Sequence, residues 1–158
     1  MKLRIIFIAL SLFGSPAVLE AETLDCMAFV GKGENYKAAH VYEPCLFAAK
    51  AGDGRALYAV GMSYGYAGNE ALELEYYRKA AKQSVVASYL ALGHALREKD
   101  INESISWYEK FVETKPQGYG YVALQLSRLY KIKGNEKRSN YWLGVCKESP
   151  YKENCGST

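Results

Sequence analysis

The sequence predicts an all-α protein made of antiparallel helix pairs. Two short elements alternate along the chain: the first begins at residues 56, 88 and 122, and the second at residues 75, 106 and 140. Within the first element apolar residues recur at helical spacing, as at Leu57, Val60 and Tyr64. Two elements that recur together every 31 to 34 residues are typical of stacked helical repeats.

The first 21 residues are predicted to be a secretory signal peptide. A basic start, "MKLR", is followed by the apolar run "IIFIALSLF" and by a segment that ends in a small residue. We expect cleavage after Ala21, with Ala17 as the alternative. The aspartate in "TLD" before Cys26 does not resemble a bacterial lipoprotein cleavage site, so no lipid anchor is expected.

The charge of the mature chain argues against a nucleic-acid partner. Cleavage would remove Lys2, Arg4 and Glu20, so Lys plus Arg falls from 20 to 18 and Asp plus Glu from 17 to 16. A net charge near +2 is too weak for a nucleic-acid binder that depends on bulk charge. No later segment is apolar enough to span a membrane, so we expect a soluble periplasmic protein.

The four cysteines predict two disulfides. An even number of cysteines in an exported chain indicates disulfide bonding, and four cysteines allow three connectivities. We favour Cys26–Cys45 and Cys146–Cys155 because the members of each pair are close in sequence. Neither C-x-x-C nor His-x-x-x-His spacing occurs, so no metal site and no cofactor are expected.

Residues 22–52 are predicted to form a degenerate first repeat that caps the domain. The sequence "FAAKAG" at 47–52 echoes "KAAKQS" at 79–84. Pro44 should kink the second helix of this unit or restart it, because proline removes a backbone donor and clashes inside a helix. A Cys26–Cys45 bridge would then tie the two helices of the cap together.

Residues 53–149 are predicted to contain three helix pairs. Gly61, Gly93 and Ser127 recur at one position of the first helix, where a small residue lets the paired helix approach closely. Two adjacent aromatic residues recur in each second helix and should fill the space between one pair and the next. These aromatic pairs are Tyr76-Tyr77, Trp107-Tyr108 and Tyr141-Trp142.

The breaks between helices are also visible. "GYAGNE", "EKDINE" and "KIKGNE" follow the three first helices, and "GNE" combines a helix stop with an acidic residue suited to a helix start. Residues 150–158 are predicted to be a tail that the Cys146–Cys155 bridge closes. The expected organisation is therefore a cap, three helix pairs and a disulfide-closed tail.

The stretch "GMSYG", Gly61 to Gly65, also matches the G-x-S-x-G motif of serine hydrolases. The equivalent residues of the second and third copies are "GHALR" and "SRLYK", so the serine does not recur whereas the first position stays small. The mature chain is also short for a hydrolase sheet covered by helices on both faces. We therefore interpret Gly61 as a packing residue and expect no catalytic role for Ser63.

The chain resembles the Sel-one-like repeat, a relative of the tetratricopeptide repeat. The likeness is closest in residues 48–84 and weakens toward residue 149. The matching positions are Ala56, Val60-Gly61, Tyr64, Gly68, Tyr76-Tyr77 and Lys79-Ala80-Ala81. The family has alanine three residues before the aromatic pair, where this chain has Glu73, Ser104 and Arg138. The resemblance implies a right-handed solenoid of about three to four repeats.

The resemblance also implies protein binding through the concave face, which the first helix of each pair lines. The residues expected on that face are Arg55, Tyr58, Met62, Tyr66, Leu90, His94, Arg97, Tyr121, Leu124, Arg128 and Lys131. Tyrosine and arginine are enriched in binding hot spots. Because this set is aromatic and basic without an acid, it favours a partner with an acidic, partly apolar segment.

Three functional classes are compatible with the sequence. The first is a periplasmic immunity protein that neutralises a secreted antibacterial toxin. The second is a scaffold or adaptor in envelope assembly or secretion. The third is an enzyme, because some cysteine-rich relatives have been linked to β-lactam binding, but the cysteine spacing here departs from theirs. We expect a binding module and no catalytic residues.

Overall fold

The computed structural model describes residues 26–156, so the predicted signal peptide lies outside the described residues. Residues 26–30 are helical, and no β-strand occurs within the described range. The elements that follow are a 3₁₀ turn (Asn35–Ala38), α1 (Glu43–Lys50), α2 (Gly54–Tyr66), α3 (Glu70–Lys82), α4 (Val86–Leu96), α5 (Ile101–Glu113), α6 (Tyr119–Ile132), α7 (Glu136–Lys147) and a second 3₁₀ turn (Lys152–Asn154). The predicted all-α class is confirmed.

The helix boundaries follow from capping residues in the sequence. Both copies of "GNE" act as predicted, because Gly68 and Gly134 have positive φ angles of 74° and 70° and end the preceding helices. Asn69 then caps α3 by accepting a hydrogen bond from the Leu72 amide at 3.2 Å. Asn135 caps α7 in the same way.

The first two helix pairs pack through the predicted small residues. A Cβ atom added to Gly61 would lie 2.8 Å from a ring carbon of Tyr77, and one added to Gly93 would overlap the ring of Tyr108. Helices α2 and α3, and likewise α4 and α5, therefore approach more closely than an alanine would permit. In the third pair Ser127 is buried, and its hydroxyl lies 3.2 Å from that of Ser139.

The second residue of each predicted aromatic pair is buried. Tyr77, Tyr108 and Trp142 are only 5%, 0% and 6% exposed. Tyr77 packs with Leu92 and Leu96 of α4, so it fills the space between the first and second helix pairs as predicted. The first residue of each pair is more exposed. Tyr76 packs against Tyr64 and Trp107 stacks on Tyr89, so each of these two contacts the first helix of its own pair.

Successive helix pairs are also linked by polar contacts. The Arg78 guanidinium of α3 lies 3.0 Å from the Glu103 carboxylate of α5, and Arg138 of α7 lies 2.7 Å from Glu109 of α5. The main helix contacts within the described residues join elements that are neighbours in sequence. The two ion pairs thus connect the second helices of adjacent pairs through long side chains.

The cysteines pair as predicted. Cys26 and Cys45 have Cα atoms 4.7 Å apart and join residues 26–30 to α1, where Pro44 stands in the first turn. The helix thus restarts at the proline, which is tolerated in a first turn. Cys146 and Cys155, with Cα atoms 6.0 Å apart, tie the end of α7 to the tail.

The described helices are short. None in residues 26–156 combines the length and apolar character needed to cross a membrane.

Candidate binding groove

A groove with a volume of about 670 Å³ lies between α2, the first half of α3 and α4. We call it the aromatic groove. Its lining residues are Tyr58, Met62, Gly65, Tyr66, Glu70, Glu73, Tyr77, Ala91, His94, Ala95, Glu98 and Lys99. Its volume falls within the range typical of ligand-binding clefts.

Four of the residues predicted for the binding face line this groove. Tyr58, Met62 and Tyr66 are spaced four residues apart along α2, and this spacing places their side chains on one face of the helix. His94 joins them from α4. The face implied by the resemblance and the groove therefore have these four residues in common.

The other predicted residues do not line the groove. Leu124 is only 3% exposed and packs in the core formed by α5, α6 and α7, so a partner cannot reach it and its prediction as a face residue is wrong. Leu90 is half-buried and packs against the same core. Those that are exposed elsewhere are Arg55, Arg97, Tyr121, Arg128 and Lys131.

Tyrosine rings form the floor and the mouth of the groove. Tyr77 forms the floor and stacks against Tyr58, with ring centroids 5.5 Å apart. Burial raises the pKa of both hydroxyls, so both stay neutral at physiological pH. Tyr66 stands at the mouth with 58% of its surface exposed, 5.0 Å from the ring of Tyr36.

The groove also contains three glutamates. Glu70 pairs with Lys99, and Glu98 lies 3.5 Å from Arg97, just outside the groove. Glu73 is half-buried, and within the described residues no lysine or arginine nitrogen is placed at ion-pair distance from it. The aromatic groove is therefore acidic, which the residues selected from the sequence did not indicate.

The carboxylate of Glu73 lies against the backbone of α2. A Cβ atom at Gly65 would lie 2.6 Å from Oε1 of Glu73, so the carboxylate occupies the space that a side chain would fill. Burial raises the pKa of Glu73, and the nearby Lys99 ammonium and Tyr77 hydroxyl partly oppose that effect. The carboxyl group is thus held in a partly dehydrated position on the groove wall.

His94 contributes a neutral ring to the same groove. Its Nδ1 atom lies 2.8 Å from the hydroxyl of Tyr108, and the two rings meet edge to face. Partial burial, followed by the positive charge of Arg97, lowers the pKa of His94 below its usual value. The ring therefore adds hydrogen-bonding capacity at pH 7 rather than positive charge.

The sequence contained a signal for Glu73 that was not interpreted as a site. The family pattern has alanine at this position, and the equivalent residues in the other pairs serve packing or ion pairing. Ser104 is buried and donates a hydrogen bond to the Gly93 carbonyl at 2.7 Å, and Arg138 pairs with Glu109. Only the structure shows that the carboxylate of Glu73 lies on the wall of a groove.

Ser63 connects α2 to the N-terminal segment through hydrogen bonds. Its side chain is fully buried, and its hydroxyl donates to the Lys37 carbonyl at 2.6 Å. It also accepts a hydrogen bond from the His40 amide at 3.2 Å and lies 2.6 Å from Nδ1 of His40. A hydroxyl that donates its one proton to the Lys37 carbonyl does not donate it to His40 Nδ1 at the same time.

A second groove, of about 530 Å³, has the opposite charge. It is bordered by α1, α2 and α3 and contains Lys50, Lys79 and Lys82 beside the apolar residues Leu46 and Leu57. Lys79 is paired with Glu75 at 2.6 Å. None of the basic residues predicted for the binding face lines this second groove.

The described residues contain no group of three histidine, cysteine or acidic side chains arranged to hold a metal ion. The chain matches no protein-family model, and no curated protein is significantly similar to it. The resemblance to Sel-one-like repeats stays a prediction that rests on the residues of this chain alone.

Proposed function

We propose that the protein is a protein-binding module whose partner docks in the aromatic groove. The observation that carries this proposal is the convergence of Tyr58, Met62 and Tyr66 with His94 in one groove of about 670 Å³. Tyrosine supplies a large contact area together with a polar group, and such residues dominate binding hot spots. Tyr66 is exposed at the mouth, where a partner would meet it first.

We further propose that the helix pairs form a right-handed solenoid of the Sel-one-like type, with residues 22–52 as its cap. Equivalent contacts in successive units support this arrangement. Gly61 meets Tyr77 as Gly93 meets Tyr108. The contact of Lys99 with Glu70 also has a counterpart between Lys133 and Asn102. In such a solenoid the aromatic groove lies on the inner face, where α2 and α4 are neighbours.

Export to the periplasm is the third part of the proposal. Two disulfides are compatible with an oxidising compartment, and they close both ends of the described chain. The end units of a stacked repeat have only one neighbour, so covalent closure there offsets the missing contacts. The signal peptide predicted for residues 1–21 supplies the route.

An immunity protein against a secreted antibacterial toxin is the role we favour, and a scaffold or adaptor in the cell envelope is the alternative. The two roles differ in affinity and in gene context. An immunity protein should bind one toxin with nanomolar affinity or better, and its gene should lie beside the toxin gene. An adaptor should bind several envelope components more weakly.

A pull-down with the mature, oxidised protein tests the groove. Tyr66→Ala is the test variant, and Tyr141→Ala is the matched control because the two tyrosines are 58% and 56% exposed and Tyr141 does not line the aromatic groove. We expect wild type and Tyr141→Ala to capture the same partner. Loss of a hot-spot tyrosine should weaken binding about 30-fold or more, so Tyr66→Ala should lose that partner.

The captured set also distinguishes the two roles. A single toxin-like partner would support neutralisation, and several envelope proteins would support the adaptor. Equal capture by Tyr66→Ala and wild type would show that the groove is not the docking site. The circular dichroism of each variant must match that of wild type, so that a loss of capture is not a loss of folding.

A further inference from the structure

We propose that the partner places a lysine or arginine side chain in the aromatic groove, against the carboxylate of Glu73. This inference rests on the proposed function and specifies the chemistry of the docking segment. The sequence led us to expect an acidic partner segment, because none of the residues predicted for the face is acidic. The groove instead contains glutamates, and these favour a basic partner segment.

The charges of the groove carry the first step. Glu70 is neutralised by Lys99, and Glu98 is partly neutralised by Arg97. After this pairing Glu73 is left as the carboxylate without an ion-pair partner among the described residues. Its charge-complementary ligand is a cation that reaches the groove from outside.

The aromatic walls carry the second step. Tyr58, Tyr66 and Tyr77 line the same groove as Glu73, and a cation over a tyrosine ring is attracted by the negative face of the π system. The ring of Tyr66 already has a cation nearby, because the Lys37 ammonium lies 5.6 Å from its centroid. The groove thus combines a carboxylate with rings suited to the alkyl chain and the charged end of a basic side chain.

The comparison with the second helix pair carries the third step. Packing does not require a carboxylate at this position, because the equivalent Ser104 is fully buried and bonds to the Gly93 carbonyl. The Lys99 charge and the Tyr77 hydroxyl compensate only part of the burial of this carboxylate, so a bound cation would stabilise it further. A role in binding a cation therefore explains the glutamate at position 73 better than a role in packing does.

Small probes test this inference without the natural partner. N-acetyl-arginine methylamide would be titrated into the ¹⁵N-labelled mature protein, and N-acetyl-glutamate methylamide would serve as the acidic comparison. Concentrations up to about 50 mM are suitable because ligands of this size bind weakly. We expect saturable amide shifts around Gly65 and Glu73 with the arginine probe, and dissociation constants at least about fivefold weaker for the glutamate probe.

Glu73→Gln removes the charge and keeps the shape of the side chain, so its fold should be intact. We expect it to weaken the arginine probe at least about fivefold, because a charged hydrogen bond is replaced by a neutral one. Glu136→Gln is the matched control, since Glu136 is exposed on α7 and lies outside the groove. This control should leave the dissociation constant unchanged.

The outcomes separate this inference from the proposed function. Absence of a saturable shift with the arginine probe, equal binding of the two probes, or equal binding by Glu73→Gln would overturn the cation site. If the pull-down still depended on Tyr66 in that case, the groove would remain the docking site for a partner of different chemistry. If the arginine probe bound at Glu73 but Tyr66→Ala captured the partner as well as wild type did, the cation site would stand and the docking proposal would fail.

Discussion

The first and second helix pairs share one packing scheme but differ at the positions beside it. Gly61 meets Tyr77 in the first pair, and Gly93 meets Tyr108 in the second. At equivalent positions nearby, the first pair has Ser63, Met62 and Glu73, and the second has Ala95, His94 and Ser104. The residues between paired helices are therefore constrained by the short distance between the two helices. The neighbouring residues differ between the pairs and make different contacts.

The two pairs differ in where their buried polar groups find hydrogen-bond partners. In the second pair Ser104 bonds to the facing helix, and the Tyr108 hydroxyl bonds to His94, so polar groups there are satisfied inside the unit. In the first pair Ser63 bonds outward to the N-terminal segment, and Glu73 faces a groove. The first pair is consequently the unit that joins the cap to the proposed binding site.

Ser63→Ala should produce the largest change, since it gives the first pair the residue that the second pair has. Loss of the hydroxyl leaves the Lys37 carbonyl and the His40 amide without the partner it supplies. We expect a loss of about 2–3 kcal/mol in the free energy of unfolding, because buried polar groups left unsatisfied cost about 1–3 kcal/mol each. Urea unfolding followed by circular dichroism measures this change.

The reciprocal substitution, Ala95→Ser, is the control for Ser63. It adds a hydroxyl at the equivalent position of the second pair, where Ala95 lines the groove and faces no N-terminal segment. The free energy of unfolding should change by less than about 0.5 kcal/mol. Similar losses in both variants would contradict the special role of Ser63.

Gly93→Ala and Gly61→Ala compare the shared packing itself. The Tyr108 ring is fully buried and would overlap the new methyl group, whereas the Tyr77 ring is slightly exposed and lies 2.8 Å from it. Overpacking costs about 1–3 kcal/mol and occasionally more, and alanine returns about 1 kcal/mol of helix propensity. We expect net losses of about 2 kcal/mol for Gly93→Ala and about 1 kcal/mol for Gly61→Ala.

Gly144→Ala separates packing from helix propensity in that experiment. Gly144 lies within α7, and a Cβ atom there would meet nothing within 4 Å. Its substitution should stabilise the protein by up to about 1 kcal/mol in urea unfolding. Equal effects at all three glycines would mean that close helix approach does not explain why Gly61 and Gly93 are small.

These comparisons also show what the sequence could predict. Gly61, Gly93 and the buried aromatic residues were identifiable because their spacing repeats and their role is local to one helix pair. Asn69 and Asn135 were identifiable because helix caps depend on neighbouring residues. Both disulfides were predictable because each joins cysteines close in sequence.

The contacts that the sequence did not predict join distant segments. His40 precedes Ser63 by 23 residues and reaches it because the 3₁₀ segment packs on α2. Glu73 and His94 line the same groove although they belong to different helices, α3 and α4. The resemblance implied that Leu124 lies on the concave face, but the core of α5, α6 and α7 covers it. Burial by other units is not encoded in a single repeat.

The smallest expected effect concerns pH and distinguishes His94 from Met62, its counterpart in the first pair. Burial and Arg97 lower the pKa of His94 in the folded protein relative to the unfolded chain, so the folded state binds fewer protons. The stability associated with the neutral ring is fully present above about pH 6.5 and is lost as pH falls through the lower folded pKa.

Urea unfolding at pH 7.5 and pH 5 should show a larger loss in the free energy of unfolding for wild type than for His94→Gln. The difference should stay below about 1 kcal/mol because the ring is partly exposed to solvent. Equal losses in the two proteins would exclude His94 as the source of the pH dependence.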